Sequence, residues 1–103
     1  MTVSAERKDP FDALLVEFAR EKAYALGRIA ARMEASIADL RAFDEEDPPE
    51  GVTREDLVEI AAESVWFYVV QREMMGWNDH EDALRFYGVP AEVIARIGPR
   101  PRR

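Results

Sequence analysis

The stretch DEEDPPEGVTRED, from Asp44 to Asp56, decides the fold because it interrupts a chain that otherwise has helical periodicity. Two adjacent prolines end any helix that enters the stretch, and five carboxylates around them favour a solvated loop. Thr53 then has the side chain of a helix N-cap, with Asp56 at the position of the acidic partner in a capping box. The stretch therefore predicts two helices joined by an acidic loop over residues 44–52.

Upstream of the loop, apolar residues recur from Phe11 onwards at the spacing of one helix face. The dipeptide Asp9-Pro10 has the form of a helix start, with Asp9 as N-cap and Pro10 at the first helical position. Only Gly27 weakens the pattern, at a cost of about 1 kcal/mol. We therefore predict a first helix of about 33 residues, which would be ~50 Å long.

Downstream of the loop, glycines mark the ends of further helices. The second helix is predicted to end near Met75, before Gly76. A third covers about residues 79–87 and ends at Gly88, and a fourth covers about residues 90–97. No segment has the two-residue period of a strand. The predicted fold is all-α: a long N-terminal helix packed antiparallel on a second helix, followed by two short helices.

The chain of 103 residues is expected to form one domain. We predict a flexible N-terminus over residues 1–10, a helical domain over 11–98 and a basic disordered tail over 99–103. The net charge of −7 argues against a general affinity for nucleic acids or anionic membranes. The longest apolar run, VWFYVV, is far shorter than the ~20 residues of a membrane span. Without a secretory h-region we expect a cytoplasmic protein, and the excess of arginine over lysine indicates a bacterial source.

The only histidine, His80, lies among acidic and amide side chains and is the first candidate for chemistry. A metal site on a helix needs a second ligand three or four residues away, and those positions hold none. The pairs Asn78–Glu81 and Asp79–Asp82 have the spacing of an N-cap and its partner, which predicts a structural role. No cysteine, phosphate-binding loop or nucleophile motif occurs. We therefore expect no metal, no cofactor and no catalytic residue, and a binding role rather than catalysis.

The second helix predicts an interface because it is apolar almost all round, and a small chain cannot bury every face of one helix. The stripe expected to face the first helix comprises Leu57, Ile60, Ala61, Ser64, Phe67, Tyr68, Gln71, Met74 and Met75. On another side Trp66 and Val70 stand between acidic residues, as an aromatic anchor does within a polar rim. Trp66 and Val70 are the predicted interface of a homodimer, with Trp77 as a weaker candidate. Alternatively, one of the short helices folds back over Trp66.

A row of small residues on the first helix supports close packing against another helix. Its members are spaced by four residues: Ala19, Ala23, Gly27, Ala31 and Ala35. Because such a row winds around the helix axis, it predicts one local crossing rather than a seam along the whole helix. Together with Trp66 and Val70, it favours a helical-bundle dimer.

A second functional hypothesis is a DNA-binding helix-turn-helix formed by residues 80–97 and the Arg-rich tail. Gly88 lies in a short turn between two helical segments, and from Ala83 onwards only Glu92 is acidic against five arginines. Against this, the second segment offers few polar side chains to base edges, Leu84 is large for its place beside the turn, and acidic residues open the first segment.

A third hypothesis is a pocket for a small apolar ligand in the second half of the chain. The residues that could line it are Trp66, Phe67, Tyr68, Met74, Met75 and Trp77. At helical spacing, such a cluster is more often part of the core. Metal binding, DNA binding and ligand binding therefore rank below self-association.

The second half of the chain resembles a family of short, uncharacterised, all-helical bacterial proteins. The resemblance rests on QRE at residues 71–73, DH at 79–80 and YGVP at 87–90. It covers most of the chain after the acidic loop and, more loosely, the first helix. It implies a small helical domain and brings no activity or site. The expected function is self-association and protein–protein binding, as an adaptor or regulator.

Overall fold

The computed structural model describes residues 9–97 of the chain, and four helices occur in that range. Helix α1 spans Pro10–Glu45, α2 spans Arg54–Met74, α3 spans Glu81–Phe86 and α4 spans Ala91–Ile94. No strand occurs between residues 9 and 97, and the prediction of an all-α fold is confirmed. Of the predicted flexible N-terminus (1–10) only the last two residues are described, and the predicted basic tail (99–103) lies outside the described residues.

Local signals in the sequence set the boundaries of the two long helices. Helix α1 begins at Pro10 as predicted, although the Asp9 side chain makes no capping hydrogen bond. It ends at Glu45, just inside the predicted loop. The Thr53 hydroxyl oxygen caps α2 as predicted, because it accepts a hydrogen bond from the Asp56 amide at 3.1 Å.

Helices α1 and α2 form an antiparallel hairpin whose inner face is the core. Ile29 of α1 lines one groove with Phe67 of α2, whereas Phe43, further along α1, lines another with Leu57 near the start of α2. Residues later in α1 therefore lie beside residues earlier in α2, so the two helices are antiparallel. The buried apolar side chains are Met33, Ile37, Leu40, Val58, Ala61, Ala62, Val65, Tyr68, Val69, Val89 and Val93.

The buried face of α2 includes part of the predicted stripe, because Ala61, Ser64 and Tyr68 are buried. Ile60, Phe67 and Met74 were predicted to point inward, and each is more than half exposed. The buried face also takes in Val58, Ala62, Val65 and Val69, which were not part of that stripe. The apolar residues of this face form one core cluster with Met33 and Leu40 of α1 and with Val89 and Val93. Because α2 is apolar almost all round, its periodicity does not decide which side faces α1.

Gly76 and Gly88 end α2 and α3, as predicted, and both have positive φ angles, +88° and +66°. After α3, the Val89 amide donates to the Leu84 carbonyl at 3.1 Å, and the Gly88 amide donates to the Arg85 carbonyl at 3.0 Å. This pair of backbone hydrogen bonds closes a helix when glycine adopts the left-handed conformation. The YGVP motif thereby reverses the chain and places Val89 in the core.

An ion-pair bridge joins three elements at the closed end of the hairpin, where the loop lies. The Arg54 guanidinium of α2 donates to Asp44 of α1 at 2.7 Å and to Glu92 of α4 at 2.9 Å. These hydrogen bonds hold the pKa values of both carboxyls below their ordinary values. The bridge fixes α4 against the hairpin, although α4 is a single turn rather than the longer helix predicted over residues 90–97.

Candidate interaction surface

Helix α1 projects beyond α2 at the open end of the hairpin, opposite the loop, because α1 has 36 residues and α2 only 21. Every residue from Asp9 to Glu21 is exposed, and Lys22 is the first partly buried residue of α1. We call the segment 10–21 the overhang. At 1.5 Å per residue it projects about 18 Å past the core.

Four large apolar side chains lie on one face of the overhang, and we call them the overhang face. Phe11, Leu14, Leu15 and Phe18 are spaced as neighbours on one side of a helix and are between 49% and 62% exposed. The same stripe continues along α1 to Met33, where it is buried by α2. The overhang face is therefore a continuation of the core-facing stripe that nothing in residues 9–97 covers.

A second exposed apolar strip runs along the outside of α2, and we call it the outer row. It consists of Ile60, Phe67 and Met74, which are spaced by seven residues. The predicted interface residue Val70 lies three residues after Phe67 and four before Met74, so it borders this row. Trp66 precedes Val70 by one turn, and both side chains are partly buried. The predicted pair is therefore less exposed than the outer row beside it.

Trp77, the weaker interface candidate, lies just beyond the C-terminal end of α2 and is 48% exposed. The Arg72 guanidinium lies 5.5 Å from the centre of its ring and 5.8 Å from that of Tyr68. Both distances fit cation–π contacts. Arg72 thereby holds Trp77 at the open end of the hairpin, on the same end of the molecule as the overhang.

A family model matches residues 5–103, which is nearly the whole chain. The chain belongs to that family. Its description is "Family of unknown function (DUF6665)", in agreement with the resemblance to uncharacterised proteins. No curated protein and no solved structure matches the chain. Membership of the family brings no activity or site, so the role of this member has to be inferred from its own surfaces.

His80 contacts residues of α2. Its Nε2 atom lies 3.1 Å from a Glu73 carboxylate oxygen, and Arg72 donates to the Asp79 carbonyl at 2.7 Å. These contacts tie the turn after α2 back onto α2. No group of three or more histidine, cysteine, aspartate or glutamate residues in the described range could hold a metal ion.

The predicted N-cap of α3 is wrong. The helix begins at Glu81, so neither Asn78 nor Asp79 stands at the capping position, and His80, which does, makes no capping bond with its side chain. Arg72 holds the backbone at Asp79, and His80 faces Glu73 on α2. The turn is therefore fixed by contacts with α2 and not by a local cap.

The region predicted as a helix-turn-helix has few free basic groups. Arg96 forms ion pairs with Glu55 at 2.7 Å and Glu59 at 2.9 Å, and Arg85 pairs with Asp82 at 3.0 Å. A recognition helix needs several side chains along a groove of the duplex, and α4 is four residues long. The tail arginines of that hypothesis lie outside residues 9–97. No described contact favours DNA binding.

The aromatic and methionine residues do not line one common pocket. Tyr68 is buried in the core, whereas Phe67 and Met74 are more than half exposed. The groove beside Phe67, which Ile29 and Ser64 also line, has a volume of about 180 Å³. Ligand pockets have volumes of roughly 300–1,000 Å³. The groove is therefore a shallow feature of the hairpin surface.

The row of small residues on α1 does not pack against α2. Its members, Ala19, Ala23, Gly27, Ala31 and Ala35, are all exposed.

No described helix is long and apolar enough to cross a membrane.

The sequence patterns predicted Trp66, Val70 and Trp77 as interface residues but did not predict the overhang face. The overhang could have been found by comparing the predicted lengths of the first and second helices.

Proposed function

We propose that this protein self-associates through its helices and acts by protein–protein binding, as an adaptor or regulator, rather than by catalysis. The overhang face carries this proposal, because it places large apolar side chains on a helix that projects from the core. A second chain that covers the overhang face removes apolar area from water and stabilises the segment as a helix.

The size of the overhang face supports an interface. If each side chain presents ~170 Å² when free, the four expose roughly 400 Å² in total. The largest apolar patch on a typical monomer has about this size and is often functional. A stable interface buries about 800 Å² on each partner. Neighbouring apolar and polar residues of α1, together with Trp77, can supply the remainder.

A second copy of the chain is the partner that we favour, since two-fold homodimers are the commonest closed oligomers. Trp66 and Val70 stay an alternative interface, because they border the outer row. The cytoplasmic location and bacterial source expected from the composition also stay predictions. A different protein that binds the overhang face is a further partner class for an adaptor.

Light scattering on the wild type and on Leu15→Glu tests the proposal. We expect a wild-type dimer and a monomeric variant, because a buried carboxylate without a partner is strongly unfavourable. Phe86→Glu is the matched control, since Phe86 is exposed on α3 and this variant should stay dimeric. Circular dichroism shows whether each variant keeps its helices. A wild type that is monomeric at all measured concentrations would contradict the proposal.

A further inference from the structure

The turn between α2 and α3 contains one partly buried histidine, and two charged side chains of α2 contact its ring. Arg72 donates a hydrogen bond from its Nε atom to Nδ1 of His80 at 3.4 Å. Nε2 of His80 lies 3.1 Å from a carboxylate oxygen of Glu73. The His80 side chain is 17% exposed, so most of the ring is shielded from water. Each ring nitrogen therefore has a partner on α2, and the two partners have opposite charges.

These two contacts decide which ring nitrogen carries the proton of the neutral histidine. The Nε atom of an arginine can only donate a hydrogen bond, so Nδ1 of His80 has to accept it. An ionised carboxylate can only accept, so Nε2 has to donate to Glu73. A neutral imidazole has one donor and one acceptor, and it satisfies both partners only with its proton on Nε2.

A second proton on the ring conflicts with one of the two contacts and strengthens the other. An imidazolium has two donors and no acceptor, so its Nδ1 proton would point at the Nε proton of Arg72. The imidazolium and the guanidinium also carry like charges, which repel each other. The contact with Glu73 becomes an ion pair at the same time. Protonation therefore favours a ring that stays at Glu73 and an Arg72 that moves away from Nδ1.

We infer that protonation of His80 is a switch that loosens the turn between α2 and α3. Arg72 is the residue through which the switch acts, because the same guanidinium donates to the Asp79 carbonyl at 2.7 Å. It also lies 5.5 Å from the centre of the Trp77 ring. When Arg72 leaves Nδ1, both of these contacts are disturbed. Neutral His80 therefore keeps the turn against α2, and protonated His80 releases it at the open end of the hairpin.

The charged groups around His80 leave the conflict with Arg72 in place. Among the described side chains, only Arg72 and Glu73 form a hydrogen bond or an ion pair with the ring. On α3, the acidic residues that follow His80 are Glu81 and Asp82, and Asp82 pairs with Arg85 at 3.0 Å. The two residues of α2 therefore determine what protonation of the ring does to the turn.

Nuclear magnetic resonance on the full chain tests the switch, since His80 is the only histidine. The chemical shifts of its ring nitrogens at pH 8 should show the proton on Nε2. Between pH 8 and pH 5, the exchange of the Arg72 Nε proton with water measures the contact with Nδ1. The reference is Arg20, which is exposed and forms no ion pair within residues 9–97. We expect the protection of Arg72 relative to Arg20 to fall roughly two- to tenfold as the ring is protonated, the effect of one net hydrogen bond.

His80→Gln is the matched control, because a glutamine amide can accept from Arg72 and donate to Glu73 but does not titrate. In this variant the relative protection of Arg72 should stay constant between pH 8 and pH 5. A neutral ring with its proton on Nδ1 overturns the inference, as does a ring that stays neutral at pH 5. Protonation of the ring without loss of protection at Arg72 overturns it too, and so does an equal loss in His80→Gln. All of these results leave the proposed self-association intact, because that proposal is tested by the solution mass.

Discussion

The two ends of α1 have the same apolar period and opposite surroundings. Near the closed end of the hairpin, Met33, Ile37 and Leu40 are at most 2% exposed, whereas the side chains of the overhang face are about half exposed or more. The overhang residues are as large and as apolar as those in the core. The difference comes from α2, which covers only part of the longer helix.

An apolar stripe on a helix therefore shows that a face has to be buried, but not which element buries it. At the closed end the element lies in the same chain, and chain connectivity makes the contact independent of protein concentration. At the open end the stripe continues after the partner helix has ended. We attribute burial there to a second copy, so contacts at this end should depend on concentration.

Replacing leucine by alanine at each end of α1 should give the largest difference in the free energy of unfolding. Leu40→Ala leaves a cavity in the core and should lower the free energy of unfolding by about 2–5 kcal/mol. Leu15→Ala should change it by no more than ~0.5 kcal/mol in dilute solution and should weaken the dimer at high concentration. Chemical denaturation at two protein concentrations measures both effects. Equal losses at high dilution would show that the overhang packs within one chain.

A second comparison uses two glycines. Gly88 has a φ of +66°, and its replacement by alanine should lower the free energy of unfolding by about 1–2 kcal/mol. The added Cβ would lie 2.9 Å from the Arg41 guanidinium, whose hydrogen bond to the Gly88 carbonyl must then shift. Gly27 lies inside α1, where an added Cβ would meet no side chain within 4 Å, so Gly27→Ala should stabilise by about 0.5–1 kcal/mol. The midpoint temperature of thermal unfolding should fall for Gly88→Ala and rise for Gly27→Ala. A Gly88→Ala variant as stable as the wild type would show that the positive φ at residue 88 does not require glycine.

A pH series should distinguish the ion-pair bridge from unpaired charges at the open end. The pKa values of Asp44 and Glu92 are lowered by Arg54, so the bridge stabilises the fold above the ordinary carboxyl pKa of about 4. This contribution is lost as the pH falls through the lowered pKa values of the folded state. Arg54→Met should therefore unfold at a lower temperature than the wild type at pH 7, with the difference shrinking towards pH 2.

The control for this series is Arg20→Met on the overhang. Arg20 is exposed and forms no ion pair within residues 9–97. Its replacement should leave the pH dependence of unfolding unchanged in dilute solution. A wild-type pH dependence in Arg54→Met would show that the bridge does not contribute to stability.

The helix ends could be predicted from the sequence because their signals are local. Thr53 caps α2 through a residue three positions away, and Gly76 and Gly88 end helices through bonds within one turn. The start of α3 could not be predicted in this way. It depends on Arg72, which reaches across from α2 to the Asp79 carbonyl. The contact between Arg72 of α2 and the turn before α3 sets the start of α3, and the local capping pattern does not.

The proposed interface could be predicted only as an exposed apolar surface, without its residues. Trp66 and Val70 stand apart from the expected inner stripe of α2, but only part of that stripe, including Ala61, Ser64 and Tyr68, is buried. The overhang face gives no separate signal, because its residues continue a regular core pattern. Only the difference in length between α1 and α2 reveals that α2 does not cover Phe11 and Phe18.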